Sequence, residues 1–131
     1  MSEENVDVFR RGADAANRGD AEEFLREVHP DGVFEPLRAA TEGAYVGHDG
    51  IRRFWADTEE TFELFQVDYT DIRDLGDRVL AIGTIRVRGR GSGVETRIPT
   101  AAIAEYRDGL LWRYKDYGES RLALEVAGLS E

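Results

Sequence analysis

The segment Leu110-Leu111-Trp112-Arg113-Tyr114-Lys115-Asp116-Tyr117 decides how this chain is interpreted. Side chains of a β-strand alternate between the two faces of its sheet. One face of this strand therefore carries Leu110, Trp112, Tyr114 and finally Asp116. The other face carries Arg113 and Lys115, which are expected to meet water. The alternation predicts an amphipathic final strand whose aromatic side packs against the interior.

Asp116 is the first candidate for a functional residue. It ends an apolar row, and burying a bare carboxylate costs roughly 2–7 kcal/mol or more, so it must be paired, hydrogen-bonded or protonated. A carboxyl group in such surroundings is typical of a general acid or base. Tyr114 is predicted to line the same pocket, where its hydroxyl could orient a substrate carbonyl; packing in the core is the alternative.

Composition excludes several classes of function. The chain has 131 residues, which predicts a single domain over residues 1–131. With 17 basic and 27 acidic residues the net charge is −10, which argues against a nucleic-acid or anionic-membrane partner. The absence of cysteine excludes disulfides, a thiol nucleophile and thiolate metal sites. No signal-peptide pattern or long apolar stretch is present, so we expect a cytoplasmic protein.

Helical periodicity dominates the first half of the chain. A first helix is predicted from residue 2 to residues 17–19, with Val6 and Phe9 on its inner face. Asp20 and Glu23 resemble a capping box that opens a second helix. That helix is expected to bury Val28 and to end at residues 29–30. A third helix is predicted over residues 49–62, after a short strand over residues 33–37.

The second half of the chain is predicted to contain strands only, before a short terminal helix over residues 120–127. Strands are expected at residues 66–73, 78–88, 94–107 and 110–117, and Asp108-Gly109 is a strong hairpin signal. Both faces of the 78–88 strand are apolar in its first half, which suggests cover on both sides, as at a dimer interface. This order predicts an α+β domain in which helices cover one face of a curved antiparallel sheet.

The element order and three local patterns resemble the nuclear transport factor 2-like superfamily, and within it the SnoaL-like polyketide cyclase group. The patterns are residues 45–54, YVGHDGIRRF; residues 86–93, RVRGRGSG; and the tail from Arg107-Asp108-Gly109 through Ala127-Gly128-Leu129. The resemblance implies a cone-shaped fold with a pocket between the helices and the concave sheet. Because this fold serves ketosteroid isomerases, cyclases, dehydratases, epoxide hydrolases and non-catalytic proteins, it does not choose a function.

The resemblance also suggests roles for three residues. In the cyclases and the limonene-type epoxide hydrolases an acidic residue near the end of a late strand is an acid or base, and Asp116 matches that place. Arg86 matches the arginine of the hydrolases' Arg-x-Asp pair, but Arg88 stands where their second acid would be. Strand alternation, by contrast, places both arginines on the face towards solvent or a dimer partner. In the pocket, either could hold Asp116 ionised or bind a substrate oxygen.

The remaining candidates are predicted to shape the pocket. Small inner-face residues on the strand over residues 94–107, Thr100 among them, leave room for a cavity. Trp55 is expected on the inner face of the third helix, as core or pocket wall. The other candidate ligand-binding residues are Phe34 and Pro36 at the mouth and Trp112 on the aromatic row. His29 and His48 are isolated and make a poor metal site, so no metal or other cofactor is expected.

Two classes of function remain open at the level of sequence. The first is a cofactor-free cyclase, isomerase or lyase, with Asp116 as acid or base and Tyr114 and Arg86 polarising the substrate. The second is a non-catalytic ligand-binding or dimerisation module in which Asp116 has a structural role. A hydrolase similar to the epoxide hydrolases is a third possibility that needs a second carboxylate. In each case we expect a homodimer and a small apolar or aromatic ligand.

Overall fold

The helices of the N-terminal half follow the predicted apolar spacing. The computed structural model describes residues 2–37 and 39–129. The helices are α1 (Ser2–Asn17), α2 (Ala21–Leu25), α3 (Ala39–Glu42), α4 (Gly47–Thr61) and the C-terminal α5 (Ser120–Val126). The Asp20 side chain accepts a hydrogen bond from the Glu23 amide at 3.0 Å, which confirms Asp20 as the cap that opens α2. The short α3 was not predicted.

The prediction that α2 continues through Val28 is wrong. The helix ends at Leu25, and Val28 begins the first strand. The Leu111 amide donates to the Glu27 carbonyl at 2.8 Å, and Val28 is in register with Leu111. Pairing with a distant strand thus replaces the next helical turn, which Pro30 could not have extended because it has no amide hydrogen.

The strands form one six-stranded sheet. They are β1 (Val28–Glu35), β2 (Tyr45–Val46), β3 (Phe62–Asp74), β4 (Arg78–Gly89), β5 (Glu95–Arg107) and β6 (Leu110–Asp116), in the spatial order β2-β1-β6-β5-β4-β3. The α+β class is confirmed, but the sheet is mixed rather than wholly antiparallel, because β1 pairs with β6 in parallel. The 107–110 hairpin and both long hairpins before it are antiparallel, as predicted.

A bulge in β6 changes which side chains face inward. Tyr106 is in register with Leu111 and Glu105 with Arg113, so Trp112 has no partner on β5. The extra residue reverses the alternation on one side of the bulge. Leu111 is therefore buried among the inner residues, whereas strict alternation had predicted Trp112 in that place.

Gly83 lets β3 and β4 approach each other closely. It lies opposite Tyr69, next to a register shift between Tyr69 and Asp71. A Cβ atom at Gly83 would lie 2.0 Å from the Asp68 carbonyl oxygen, far inside contact distance. Only glycine fits here, and the site helps to set the place of Tyr69 on the inner face.

The two faces of the sheet carry different cores. The main core lies between the inner face and helices α1, α2 and α4. A smaller core lies on the outer face, where Leu80 and Ile103 pack with Ala123 and Leu124 of α5. The apolar outer face of β4 is thus covered by the chain's own C-terminal helix. Association of two copies through the sheet stays a prediction.

Candidate functional site

An apolar cavity of about 150 Å³ lies between the helices and the inner face of the sheet. Its wall is formed by aliphatic and aromatic side chains of α1, α2, α4 and all strands except β2. The aromatic residues on the wall are Phe9, Phe24, Phe34, Phe54, Trp55, Phe62, Phe65, Tyr69, Tyr106 and Tyr114. An apolar cavity of roughly this size can remain dry and hold one benzene-sized molecule.

Asp116 lies at the polar end of this cavity and is 8% exposed. Its Oδ1 accepts hydrogen bonds from the amides of Ala101 (3.1 Å) and Gly118 (2.9 Å). Its Oδ2 accepts one from the Thr100 hydroxyl. An ionised carboxylate has about four acceptor sites, and these donors use three of them. Asp116 therefore ties β6 to β5 and still presents one oxygen lone pair.

Two tyrosine hydroxyls extend this polar end into the cavity. The hydroxyls of Tyr69 and Tyr114 lie 3.4 Å apart, and the Tyr114 hydroxyl also interacts with Thr100. Because the carboxylate accepts only, Thr100 donates to Asp116, and its single proton is then used. Between Tyr69 and Tyr114 either hydroxyl can be the donor. Tyr69, Tyr114, Thr100 and Asp116 thus form one cluster of polar groups at this end of the cavity.

The tyrosines that line the cavity stay neutral at ordinary pH. Burial raises the pKa of Tyr69 to about 12, and the nearby negative charge of Asp116 acts in the same direction. Burial also raises the pKa of Tyr114 well above its usual value and raises that of Tyr106. Desolvation disfavours the charged phenolate, so all three side chains keep their hydroxyl protons.

Aromatic rings pack tightly around the cavity. Phe34 stacks on Tyr114 with ring centroids 4.7 Å apart, and it meets Phe24 edge to face at 5.8 Å. Trp55 makes edge-to-face contacts with Phe24, Phe54 and Phe65. Among the described residues, nothing accepts a hydrogen bond from the buried Trp55 indole nitrogen. The indole contributes ring surface to the wall of the cavity.

The structure brings most of the sequence-predicted site residues together and leaves three outside. Asp116, Tyr114 and Trp55 line the cavity, as do Phe34 and Pro36. Thr100 is buried behind the wall and reaches the site through its bond to Asp116. The three that do not reach the cavity are Arg86, Arg88 and Trp112.

The two arginines lie on the outer face of β4, where strand alternation placed them. Arg86 pairs with Asp68 at 3.0 Å and lies 3.8 Å from Glu95, and Arg88 lies 3.4 Å from Glu63. Their neighbours Ile85 and Val87 face the cavity instead. The placement that the epoxide-hydrolase resemblance implied is therefore corrected, because side chains of opposite parity cannot share a face.

Trp112 is held outside the cavity by the bulge in β6. Its ring lies 3.9 Å from the guanidinium of Arg107 and meets the His29 ring edge to face at 5.0 Å. His48 Nε2 lies 2.8 Å from the Val28 carbonyl oxygen, a contact that joins α4 to β1. Both histidines thus have local structural partners.

Sequence reasoning missed Tyr69 and Glu27. Tyr69 follows Phe65 and Val67 at a spacing of two on β3, and that alternation could have placed it on the inner face. Glu27 also lines the cavity, but its carboxylate pairs with Arg11 at 2.9 Å. No signal marked Glu27, because it lies in the turn that the sequence assigned to a helix.

Comparison with known proteins identifies the family. Residues 9–114 match the model of the SnoaL-like domain, so the chain belongs to the SnoaL-like family, as the resemblance predicted. No curated protein sequence matches the chain significantly. Among the helices that the structure describes, none has the length and apolar character needed to span a membrane.

Solved structures support the same fold at low sequence identity. An NTF2-like protein of unknown function from Burkholderia pseudomallei has a TM-score of 0.79 and 19% identity, covering 97% of this chain and 98% of its own. A protein with a ketosteroid isomerase-like fold from Catenulispora acidiphila, in complex with trimethylamine, has a TM-score of 0.77 and 19% sequence identity. The match covers 94% of this chain and 93% of that protein. A putative SnoaL-like polyketide cyclase from Shewanella denitrificans has a TM-score of 0.74 and 21% sequence identity. The match covers 86% of this chain and 88% of that protein.

Proposed function

We propose that this SnoaL-like domain binds a small apolar or aromatic molecule in the cavity between its helices and its sheet. The observation that carries the proposal is an interior space of about 150 Å³ walled by ten aromatic side chains. Protein interiors are normally packed without voids of this size, because an empty cavity forfeits dispersion contacts. A ligand that fills the space restores those contacts. The structural neighbour that holds trimethylamine supports a small ligand in this fold.

The polar end of the cavity would orient the ligand. The Tyr69–Tyr114 contact of 3.4 Å is long for a hydrogen bond between hydroxyls. The Tyr69 hydroxyl can therefore turn towards a polar ligand atom at little cost. Pockets for small molecules commonly combine an apolar wall with a few polar groups of this kind.

Binding is tested by a thermal-shift screen of small aromatic and aliphatic compounds. A ligand at a hundred times its dissociation constant stabilises a protein by about 2.7 kcal/mol, which raises the melting temperature by several degrees. Ala13→Phe places a ring in the cavity and should abolish the shift. Ala56→Phe, on the exposed side of α4, is the matched control and should keep it. If no compound stabilises the wild type, or if Ala13→Phe binds normally, the proposal fails.

A second candidate is acid–base catalysis by Asp116 without a cofactor, as in a cyclase, isomerase or lyase. The observation in its favour is the remaining lone pair of a carboxylate that lines an apolar cavity. General acid–base catalysis typically contributes roughly 10²–10⁴-fold to a rate. For any compound that the screen finds to be converted, Asp116→Asn should lower turnover by such a factor while the ligand still binds. Unchanged turnover would leave only the binding function.

A further inference from the structure

We propose that the natural ligand of the cavity is a small organic cation, namely a tertiary or quaternary ammonium compound whose charged nitrogen carries alkyl groups. This inference rests on the proposed binding function and adds the charge of the ligand to it. Two independent features of the cavity support it: the charges on its wall and the chemistry of its rings.

The charges on the wall are negative and only half compensated. The described residues that line the cavity include two acids, Glu27 and Asp116, and no Lys, Arg or His. Glu27 is paired with Arg11, so its charge is neutralised. Asp116 is bonded by a hydroxyl and two amides, and within residues 2–37 and 39–129 no basic side chain pairs with it. One net negative charge therefore remains at the cavity, where a ligand cation would compensate it.

The hydroxyl groups are compatible with a cation. A hydroxyl oxygen keeps acceptor lone pairs even when it donates, so the Tyr69 and Tyr114 oxygens can face a positive charge. The carboxylate of Asp116 beside them, which has no basic partner among the described residues, attracts a cation and repels a carboxylate or phosphate ligand.

The rings provide the rest of the binding energy. The face of an aromatic ring carries partial negative charge, and a cation over it within about 6 Å is attracted, most strongly when water is excluded. Phe34, Trp55 and Tyr114 present rings around the same space. An alkylammonium ion buries methyl groups against these rings and carries little hydration to lose. A metal ion or a primary ammonium would find too few oxygen ligands here.

The test compares two compounds of equal shape that differ in charge. Choline and 3,3-dimethylbutan-1-ol have the same heavy-atom skeleton, with nitrogen in one and carbon in the other. Isothermal titration of the wild-type protein at low salt should show choline binding at least tenfold more tightly than the alcohol. Equal or tighter binding of the alcohol would overturn the proposal, and this comparison needs no variant.

Variants then assign the preference to Asp116. Asp116→Asn keeps the shape and removes the charge, so the affinity of choline relative to that of the alcohol should fall below threefold. Asp68→Asn removes an equal charge from the outer face and should keep the full preference. If Asp68→Asn abolishes the preference as well, the effect comes from overall charge and the proposal fails. Binding of neutral aromatic compounds without choline would contradict this inference alone, whereas no binding by any compound would contradict the proposed function too.

Discussion

The hydroxyl of Tyr69 on β3 meets the hydroxyl of Tyr114 on β6 at 3.4 Å, although β4 and β5 lie between these strands. Neighbouring strands are spaced about 4.8 Å apart, so three such steps would separate the two residues by roughly 14 Å on a flat sheet. The contact therefore requires the sheet to curve around the cavity. Curvature turns four strands into a concave wall and brings polar groups from its two sides to one end.

Removing the Thr100 hydroxyl should destabilise the fold. Thr100→Val keeps the shape of the side chain but leaves Asp116 Oδ2 without its donor in a buried position. Hydrogen bonds to charged groups contribute roughly 1.5–3 kcal/mol, so we expect a loss of unfolding free energy of that size in urea denaturation. Thr100→Ser, which keeps the donor, should lose under about 1 kcal/mol. Equal losses in the two variants would show that packing, rather than the hydroxyl, is what counts.

Stability should fall at alkaline pH because of the buried tyrosines. The pKa of Tyr69 is about 12 in the folded protein, above its ordinary value of 10.0. Between these values the unfolded chain loses its proton before the folded protein does, so stability is complete below pH 10 and declines as the pH rises towards 12. The free energy of unfolding that Tyr69 contributes, and that is lost over this pH range, is on the order of 2–3 kcal/mol, because one pKa unit corresponds to about 1.36 kcal/mol.

Denaturation of the wild type and Tyr69→Phe at pH 8, 10 and 11 measures this contribution. The wild type should lose more stability between pH 8 and pH 11 than the variant, in which Tyr106 and Tyr114 still contribute in the same direction. Parallel pH profiles would mean that the Tyr69 hydroxyl is not desolvated in the folded protein.

Trp55 should tolerate replacement by phenylalanine. Because its indole nitrogen has no acceptor among the described residues, Trp55→Phe loses ring volume but no hydrogen bond. Removing a buried donor that lacks a partner also relieves a desolvation cost. We expect a loss of about 1 kcal/mol or less, against roughly 3–5 kcal/mol for Trp55→Ala. Chemical denaturation distinguishes these values, and a loss in Trp55→Phe as large as in Trp55→Ala would reveal a bond that the indole makes.

Arg86 should be dispensable for ligand binding. Its guanidinium pairs with Asp68 on the outer face of the sheet, and Asp68 is more than half exposed. Exposed ion pairs contribute roughly 0–1 kcal/mol, so Arg86→Gln should lower stability by no more than that. The affinity of any ligand found in the screen should change by less than twofold in titration. A tenfold loss would mean that the arginine reaches the cavity after all.

The amphipathic patterns were sufficient for most of the fold. Local spacing and capping placed the long first helix, the Asp20 cap and the three long strands within a few residues of their true bounds. Alternation also placed Arg86 and Arg88 on the outer face, where the family resemblance had implied the reverse. These features depend on residues close together in the chain, and their physical causes act locally.

What remained undetermined depends on contacts between distant residues. Val28 leaves its helix because β6, some eighty residues later, offers Leu111 as a partner, and Trp112 faces outward because β5 admits an extra residue opposite it. Neither event has a local signal, since pairing free energy and register are properties of two strands together.

The amino-acid sequence alone determined the element types, the acidic character of the chain and the presence of an aspartate at the end of an aromatic strand. Only the tertiary structure decided that Tyr69 joins Tyr114 and Thr100 beside Asp116, and that the arginines stay away from them. The reason is geometric: the curvature of the sheet sets which inner-face side chains meet, and that curvature results from the packing of the whole chain.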